Sequence, residues 1–340
     1  MAPEAQAGRQ PTPALIFDTF NAYQRTAALK AGIDLEVFTA IAEGKTTAKD
    51  ISERCGASER GARILCDYLT IIGFLTKQGN NYSLTPDSAM FLDKHSPAYM
   101  GTMTEFILSS YVTDNFDHLT ESVKKGGTAG ETKSLEPDHP MWVKFARAMQ
   151  PMMFMPSQLM AKLVDPNPDK KLKILDIAAG HGLYGIAFAK HNPQAEVTAV
   201  DWPNVLEVAK ENAQAAGVAD RYQTKPGSAF DVDYGTGYDV ILLTNFLHHF
   251  DRETCEMLLR KVHAALADGG RAVTLEFVPN DDRVTPPQAA SFSMMMLGMT
   301  PSGDAYTFAE LDQMCRNAGF SRSELHELPP TIQRVVISYK

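Results

Sequence analysis

The stretch that decides the fold is residues 173–185, whose sequence is KILDIAAGHGLYG. An apolar strand ends here in a glycine loop at Gly180 and Gly182, and the loop leads into an apolar helix that we predict over residues 183–190. The two glycines permit a tight turn and a close approach of the backbone to a ligand. The start of the helix leaves free N–H groups for an anionic or carboxylate-bearing ligand. The pattern predicts a ligand-binding loop at the edge of a parallel sheet.

The segment that follows supplies a second strand and an acid. Residues 196–201 (EVTAVD) predict a strand that ends at Asp201, which lies 21 residues after Gly180. An acid at this place can accept hydrogen bonds from both hydroxyls of a ribose. Strand-like and helix-like runs then alternate, as in a parallel α/β domain. We predict a strand over 238–244, a helix over 252–266 capped by Asp251, a turn at 268–270, a strand over 271–277, and two antiparallel closing strands over 320–327 and 332–339.

The glycine spacing leaves two cofactors open. Gly180, Gly182 and Gly185 match the dinucleotide fingerprint, so a nicotinamide enzyme is one interpretation. Three features favour S-adenosylmethionine (SAM) instead. Asp176 ends the first strand, where a dinucleotide site calls for an uncharged one. SAM is a nucleoside with an amino-acid tail, so a loop that binds SAM has no pyrophosphate to neutralise. The chain after the motif leaves room for one seven-stranded domain and for no separate substrate domain.

The first 90 residues predict a winged helix-turn-helix. We expect one amphipathic helix over 15–31 ending near Gly32, a helix from residue 46 to Gly56, a helix from 58 to 73, and a ribbon of strands over 74–76 and 82–84. Residues 14–90 hold 8 Lys and Arg against 9 Asp and Glu, a net charge of −1. DNA binding requires a basic face. We therefore expect a scaffold that pairs with a second copy of the chain, and a DNA-binding regulator remains the alternative.

The composition limits the classes of protein to which this chain can belong. The chain has 340 residues, of which 44% are hydrophobic and 21% charged, and this length suggests about two domains. A net charge of −9 argues against a nucleic-acid partner. No apolar run approaches the ~18 residues of a membrane span. Residues 1–13 form a polar tail without the apolar core of a signal peptide. The four cysteines lie far apart, so we expect no disulfide and no metal site, and a cytoplasmic protein.

A polar segment broken by prolines, residues 165–171, marks a boundary. We predict a winged-helix dimerisation domain over 14–110, a helical linker and substrate-lid region over 111–165, and a SAM-binding domain over 166–340. Nine of the 16 methionines fall in two windows: Met149, Met152, Met153, Met155 and Met160, then Met294, Met295, Met296 and Met299. Methionine suits adaptable binding surfaces, and core or dimer-interface packing is the alternative.

Four motifs in chain order carry a resemblance to a known family. They are the glycine loop, Asp201-Trp202-Pro203, residues 227–230 (GSAF) and residues 248–250 (HHF). They resemble the SAM-dependent O-methyltransferases of the plant caffeate type and their bacterial relatives, which tailor polyketides and pigments. The N-terminal winged helix is similar to the dimerisation domain of that family. The resemblance covers residues 14–340 and implies a Rossmann-like class I methyltransferase sheet of seven strands, a homodimer and a small-molecule methyl acceptor.

The resemblance also implies site residues. Contacts to SAM are expected at Asp176, Gly180, Gly182, Asp201, Trp202, Ser228, Ala229, Phe230 and Asn245. Ser228 stands where the family often has an acid that faces the adenine. Residues 145–149 resemble a family helix that lies over cofactor and substrate. Contacts to the acceptor are expected at Met149, Met153, His249, Phe292 and Met296.

His248 aligns with the catalytic base of the family. A phenol with a pKa of ~10 is mostly protonated at neutral pH, so a base helps the reaction. Plant members orient this histidine with a Glu, and Ala305 occupies that position here. Asp304 and Glu276 are the candidate substitutes. Without an orienting acid, an S-methyltransferase acting on a thiol or thioether remains an alternative. His248 could instead cap a helix, and His249 could be structural. A non-catalytic SAM-fold protein is the remaining alternative.

Overall fold

The computed structural model describes residues 10–130 and 139–340, which divide into two compact units, residues 10–108 and the described residues from 109 onward. The predicted polar tail over 1–13 lies outside the described residues as far as residue 9. Among the described residues, no helix combines the length and the apolar character needed to cross a membrane.

The N-terminal unit consists of short helices and one β-ribbon. In chain order its elements are α1 (Ala14–Phe20), α2 (Ala22–Asp34), α3 (Val37–Ala42), α4 (Ala48–Cys55), α5 (Glu59–Ile71), β1 (Leu75–Gln78), β2 (Asn81–Leu84), α6 (Pro86–Phe91), a 3₁₀ turn (Gly101–Met103) and α7 (Thr104–Ile107). Thr47 caps α4 by accepting from Asp50 N, and Ser58 caps α5 by accepting from Gly61 N. Gly56, at φ 64°, ends α4. The predicted two helices and antiparallel ribbon are confirmed.

The prediction of one helix over 15–31 is wrong. The chain breaks at Asn21, where the backbone leaves helical geometry and the side-chain amide donates to Phe17 O at 2.8 Å. Asparagine competes in this way with the backbone of a helix. Gly32 does not end the helix either, because α2 continues to Asp34. A Cβ on Gly32 would lie 3.1 Å from both Leu69 and Phe38, so this glycine serves close packing.

The C-terminal unit combines nine α-helices with seven strands over the residues that the structure describes from 109 onward. Its elements are α8 (Ser110–Asp117), α9 (Leu119–Lys125), α10 (Pro140–Val164), β3 (Leu172–Ile177), α11 (Leu183–His191), β4 (Ala195–Asp201), α12 (Pro203–Ala215), β5 (Tyr222–Pro226), β6 (Tyr238–Thr244), α13 (Arg252–Ala265), β7 (Leu266–Glu276), α14 (Pro287–Ala290), α15 (Phe292–Met299), α16 (Phe308–Asn317), β8 (Arg322–Glu327) and β9 (Arg334–Tyr339).

The seven strands β3 to β9 form one sheet in the order β5-β4-β3-β6-β7-β9-β8. The first five strands in this order are parallel, and β9 runs antiparallel to both β7 and β8. The predicted seven-stranded α/β fold with two antiparallel closing strands is confirmed. Because the parallel strands share a direction, their carboxyl ends meet at one edge, where ligands bind in such sheets.

The start of β7 differs from the prediction. We expected α13 to reach residue 266, a turn at 268–270 and a strand from 271. The strand instead begins at Leu266, and its pairing with β6 jumps from Tyr238↔Leu266 to Val240↔Arg271. A Cβ on Gly270 would lie 2.8 Å from Tyr238 O, so glycine is needed where the backbones approach. The glycines therefore form a bulge inside the strand. The predicted N-cap of α13 is confirmed, since Asp251 accepts from Thr254 N at 2.8 Å.

Candidate active site

The glycine loop follows β3 with a left-handed backbone. Gly180 has φ 57° and Gly182 has φ 75°, and Ala178 joins them at φ 54°. A Cβ on Gly182 would lie 2.6 Å from Tyr222 Oη and 2.9 Å from Ala209 Cβ. Both the torsion and the crowding require glycine at this position. The loop has the tight turn that the sequence predicts, and Gly182 leads directly into α11.

Asp201 ends β4 beside this loop. Its carboxyl accepts from Gly180 N at 2.7 Å through one oxygen and from Trp202 N at 2.7 Å through the other. Burial raises the pKa of Asp201 to about 6, and the two backbone hydrogen bonds oppose that shift. The glycine loop and the acid that were predicted 21 residues apart therefore contact each other directly.

Asp176 lies beneath the glycine loop and is fully buried. One carboxyl oxygen accepts from Gly185 N at 3.0 Å, which ties β3 to α11. Burial raises the pKa of Asp176 to about 7, and the charge of Asp201 acts in the same direction. The other oxygen has no hydrogen-bond partner among the described residues.

Trp202 packs in an apolar cluster between two helices. Ala146 of α10 and Val205 and Val208 of α12 form the buried part of this cluster, and Trp202 packs against it together with Trp142 and Val143 of α10. An ion pair of 2.8 Å between Arg147 and Glu211 also joins α10 to α12 at the surface. Helix α10, which contains the stretch 145–149 that resembles the family helix over cofactor and substrate, therefore packs in the same cluster as Trp202.

Residues 227–234, which we call the Ser228 loop, connect β5 to β6. Ser228 Oγ accepts from Phe230 N at 3.1 Å, so the hydroxyl supports the turn itself. The ring of Phe230 packs edge-on against Phe250 at 5.1 Å, and Phe250 packs against Phe246 at 5.0 Å. Aromatic contacts thus join the Ser228 loop to the segment that carries His248.

His248 is buried and held by Glu276. Its Nδ1 lies 2.5 Å from Glu276 Oε2. The other oxygen, Glu276 Oε1, accepts from Phe246 N and from Leu247 N, each at 2.9 Å. A carboxylate only accepts hydrogen bonds, so Nδ1 carries the imidazole proton and Nε2 keeps its lone pair. Among the described residues, Nε2 of His248 therefore remains as the ring nitrogen without a hydrogen-bond partner.

Glu276 resolves the question that Ala305 raised. Ala305 is buried, and Asp304 forms an ion pair with Arg283 at 3.1 Å. Glu276 reaches His248 because it ends β7, next to β6, with Thr244 paired to Leu275. The signal available in the sequence was an acid directly after residues 272–275, at the end of β7.

The backbone around His248 is anchored on several sides. Cys255 Sγ donates to Leu247 O at 3.2 Å, and Tyr306 Oη donates to Phe250 O at 2.5 Å. A Cβ on Gly303 would lie 2.1 Å from His248 O, so the segment after α15 packs directly on this backbone. Cys255 and Tyr306 support the site without having been predicted.

Two further rings flank His248. Phe292 approaches it edge-on at 4.9 Å and stacks on Phe277 at 4.1 Å. The ring of His249 lies 4.3 Å from that of His248. Burial lowers the pKa of His249 well below its usual value, and the neighbouring His248 acts in the same direction. Of the predicted acceptor residues, His249 and Phe292 therefore contact the base.

Met153 and Asn245 meet at the end of β6. The Met153 sulfur accepts from Tyr184 Oη at 3.2 Å, Asn245 Nδ2 at 3.4 Å and Gln333 Nε2 at 3.5 Å. Asn245 has φ 52°, and its buried Oδ1 has no partner among the described residues. Met149 and Met296 are buried on α10 and α15. Tyr184 and Gln333 were not predicted; Tyr184 stands within the glycine motif, whereas nothing in the sequence marks Gln333.

Comparison with known families assigns both halves of the chain. The profile described as the O-methyltransferase domain matches residues 116–321, and the profile described as the O-methyltransferase dimerisation domain matches residues 17–94. A 3-hydroxy-5-methyl-1-naphthoate 3-O-methyltransferase from Streptomyces sahachiroi is 30% identical over 314 residues, which cover 91% of this chain and 90% of the relative.

Solved structures agree with this assignment. A protein from Nostoc punctiforme, provisionally described as an O-methyltransferase, is 58% identical, covers 98% of this chain and 100% of its own, and superposes with a TM-score of 0.93. Human N-acetylserotonin methyltransferase in complex with SAM has the same fold, with a TM-score of 0.83, 21% identity, and coverage of 98% and 99%.

Proposed function

The chain belongs to the O-methyltransferase family and is a SAM-dependent enzyme, and on that premise we propose that it transfers the methyl group to a phenolic hydroxyl of a small molecule, with His248 as general base. The observation that carries the proposal is the pairing of His248 Nδ1 with Glu276 at 2.5 Å. With the proton of the neutral imidazole on Nδ1, the lone pair is on Nε2, the ring nitrogen that faces away from the carboxylate.

The residues of the glycine-loop edge fit SAM. Asn245 Oδ1 is buried without a donor among the described residues, and the ammonium group of SAM offers one. A Cβ on Gly180 would lie 4.0 Å from Ala178 O and would meet no nearer atom beyond the two adjoining residues, so the backbone here is open to a ligand. Asp201 ends β4 at this edge beside Gly180, which supports its proposed role of accepting from the ribose hydroxyls. We assign to the cofactor Asp176, Gly180, Gly182, Asp201, Trp202, Ser228, Ala229, Phe230 and Asn245.

The chemistry requires little of the protein beyond alignment and a base. When bound, SAM supplies a methyl group already activated on a sulfonium. His248 accepts the phenolic proton on Nε2 while Glu276 stabilises the imidazolium through Nδ1, as a carboxylate does in acid–base pairs of this kind. Burial of both side chains keeps water from competing for these hydrogen bonds.

We propose an aromatic acceptor. The stacked rings of Phe277 and Phe292 lie beside His248, and an aromatic substrate packs well against such surfaces. The relative from S. sahachiroi acts on a hydroxynaphthoate. We assign Met149, Met153, His249, Phe292 and Met296 to the acceptor pocket.

The alternatives lose their support. A thiol acceptor was argued from the missing acid at Ala305, and Glu276 now occupies that role toward His248. A non-catalytic SAM-fold protein has no need of a buried His–Glu pair. We also keep the boundaries 14–110, 111–165 and 166–340 as our proposal for the domains.

A binding and turnover experiment tests the function. S-adenosylhomocysteine (SAH) should raise the melting temperature of the purified protein, whereas NAD should not, because only bound ligands stabilise the folded state. With SAM present, a panel of hydroxynaphthoates and simple phenols should yield methyl ethers detected by mass spectrometry. Stabilisation by NAD but not by SAH would overturn the proposal.

We further propose a homodimer built through residues 14–110. On α1 and α2, Leu15 is 76% exposed, Phe20 70% and Tyr23 69%, which is costly for an isolated surface. The match to a dimerisation domain over 17–94 supports the same conclusion. Light scattering should give twice the monomer mass at micromolar concentration, and Phe20→Glu should shift it toward the monomer. A monomeric wild-type chain would refute this part.

A further inference from the structure

Lys261 on α13 contacts the Ser228 loop from outside. Its Nζ donates to Phe230 O at 2.7 Å and to Ala229 O at 3.1 Å. The ammonium also lies over the ring of Tyr234, 4.3 Å from its centroid. The pKa of Lys261 is lowered because the side chain is partly buried, while the charges of Asp231 and Asp233 in the same loop oppose this shift.

The ammonium of Lys261 is used on the Ser228 loop. Among the described residues, Lys261 forms no ion pair with a carboxylate, and its charge is directed at two backbone carbonyls and an aromatic face. Hydrogen bonds from a charged donor are stronger than neutral ones, and a cation over an aromatic ring adds to them. Tyr234 is buried and also donates its hydroxyl to Ala229 O. One carbonyl of the loop therefore receives two donors.

Other hydrogen bonds hold the start of the loop. Gly227, at φ 140°, donates its N–H to Asp201 O at 2.9 Å and so joins the loop to the end of β4. The Ser228 hydroxyl is used within the turn, where it accepts from Phe230 N. The Phe230 carbonyl accepts from Lys261, and the Ala229 carbonyl accepts from Lys261 and from Tyr234. The conformation of these two residues thus depends on the ammonium outside the loop and on the tyrosine within it.

We propose that Lys261 is a positioning residue for the cofactor: its ammonium holds the carbonyls of Ala229 and Phe230 and thereby fixes the loop that receives the adenine of SAM. The inference rests on the proposed assignment of the Ser228 loop to the cofactor. Because its hydrogen bonds go to this loop, Lys261 governs SAM affinity and leaves the methyl-transfer step to His248.

The primary test compares two neighbouring substitutions. Lys261→Met keeps most of the side-chain stem and removes the ammonium, whereas Arg260→Met removes an exposed charge paired with Glu256 on the same helix. Calorimetric titration with SAH should give a Kd about 10- to 50-fold higher for Lys261→Met, the effect of losing charged hydrogen bonds. Arg260→Met should stay within about twofold of wild type, and Lys261→Arg should recover part of the affinity.

Steady-state kinetics separates positioning from a general structural effect. The KM for SAM should rise with the Kd in Lys261→Met, while kcat at saturating SAM stays within about twofold of wild type. An unchanged Kd for SAH in folded Lys261→Met overturns the proposal, and so does a fall in kcat without a change in KM.

A second measurement needs no ligand. Hydrogen exchange of the ligand-free protein should be faster across residues 227–234 in Lys261→Met than in Arg260→Met, since the amides of Asp231 and Val232 depend on the loop's turn. If Lys261→Met does not fold, Lys261→Gln takes its place, with an expected rise of about three- to tenfold in the Kd for SAH. If the wild type fails to bind SAH, the proposed function fails, and the exchange data alone decide whether Lys261 holds the loop. Equal exchange in the two Met variants overturns the inference.

Discussion

The glycine-loop edge and the His248–Glu276 pair lie in the same sheet unit but are built differently. The first is made mostly of backbone: left-handed glycines, a helix start and one acid that accepts from Gly180 N and Trp202 N. The second is a contact between two side chains 28 residues apart, joined only because β6 and β7 pair in one register. The difference suggests that binding and proton transfer can be disabled separately.

The largest expected effect comes from the base. His248→Ala should lower kcat by ~10²–10⁴, the usual contribution of a general base, and should leave the Kd for SAH within about threefold of wild type. The loss should shrink at high pH, where a phenolic acceptor ionises unaided. The assay is turnover on the acceptor from the phenol panel. If His248→Ala retains more than about half of the wild-type turnover, proximity alone drives the reaction and the assignment of the base is wrong.

A nearly equal effect is expected from Glu276→Gln. The backbone N–H groups of Phe246 and Leu247 both point at Oε1, so the Gln carbonyl must take that place and its NH₂ must face His248 Nδ1. The imidazole can then accept only through Nδ1, and its proton moves to Nε2, the nitrogen that should act as base. We expect kcat to fall by about 10²–10³ with little change in SAH binding.

His249→Asn is the matched control for Glu276→Gln, since it alters a ring next to the base without touching the carboxylate contact. It should cost less in kcat than Glu276→Gln. A Glu276→Gln enzyme with near-normal kcat would show that the tautomer of His248 does not matter. It would contradict the catalytic role proposed for the His248–Glu276 pair.

The smallest effect is expected on the cofactor side, from pH. The pKa of Asp201 is raised to about 6 in the ligand-free protein, so the carboxylate protonates as the pH falls through 6 and loses the charge that accepts from a ribose. The Kd for SAH should rise by up to about tenfold per pH unit below pH 6. Asp176 also titrates in this region, because burial raises its pKa to about 7, and it should widen the pH range over which the Kd for SAH changes.

Asp201→Asn provides the control for this pH dependence. Its Kd for SAH should be higher than that of wild type at pH 8 by roughly 1–3 kcal/mol, the cost of a lost charged hydrogen bond, and should change less between pH 8 and pH 5. Turnover at saturating SAM should be nearly retained. A Kd for SAH that is flat with pH in the wild type would contradict the role of the Asp201 charge.

Local chemistry explains what could be predicted. The strand, the glycine loop, the helix start and the acid at Asp201 occupy one short stretch, so periodicity and turn requirements suffice to predict them. The cap at Asp251 was equally predictable, because an N-cap acts within three residues. The break at Asn21 and the bulge before Arg271 were missed, since side-chain competition and strand register decided them.

The sequence by itself determined the α/β class, the glycine loop and the acid at Asp201, since each is encoded by neighbouring residues, and the resemblance to the family added His248 as the candidate base. Only the tertiary structure decided which acid contacts His248. The sequence does not distinguish Glu276 from Asp304 as the substitute for the acid missing at Ala305, and the pairing of β6 with β7 does. The tertiary structure also brought Lys261 to the Ser228 loop and Met153 to Asn245. These contacts come from helix packing and strand pairing, which join residues distant in the chain, and no local pattern specifies them.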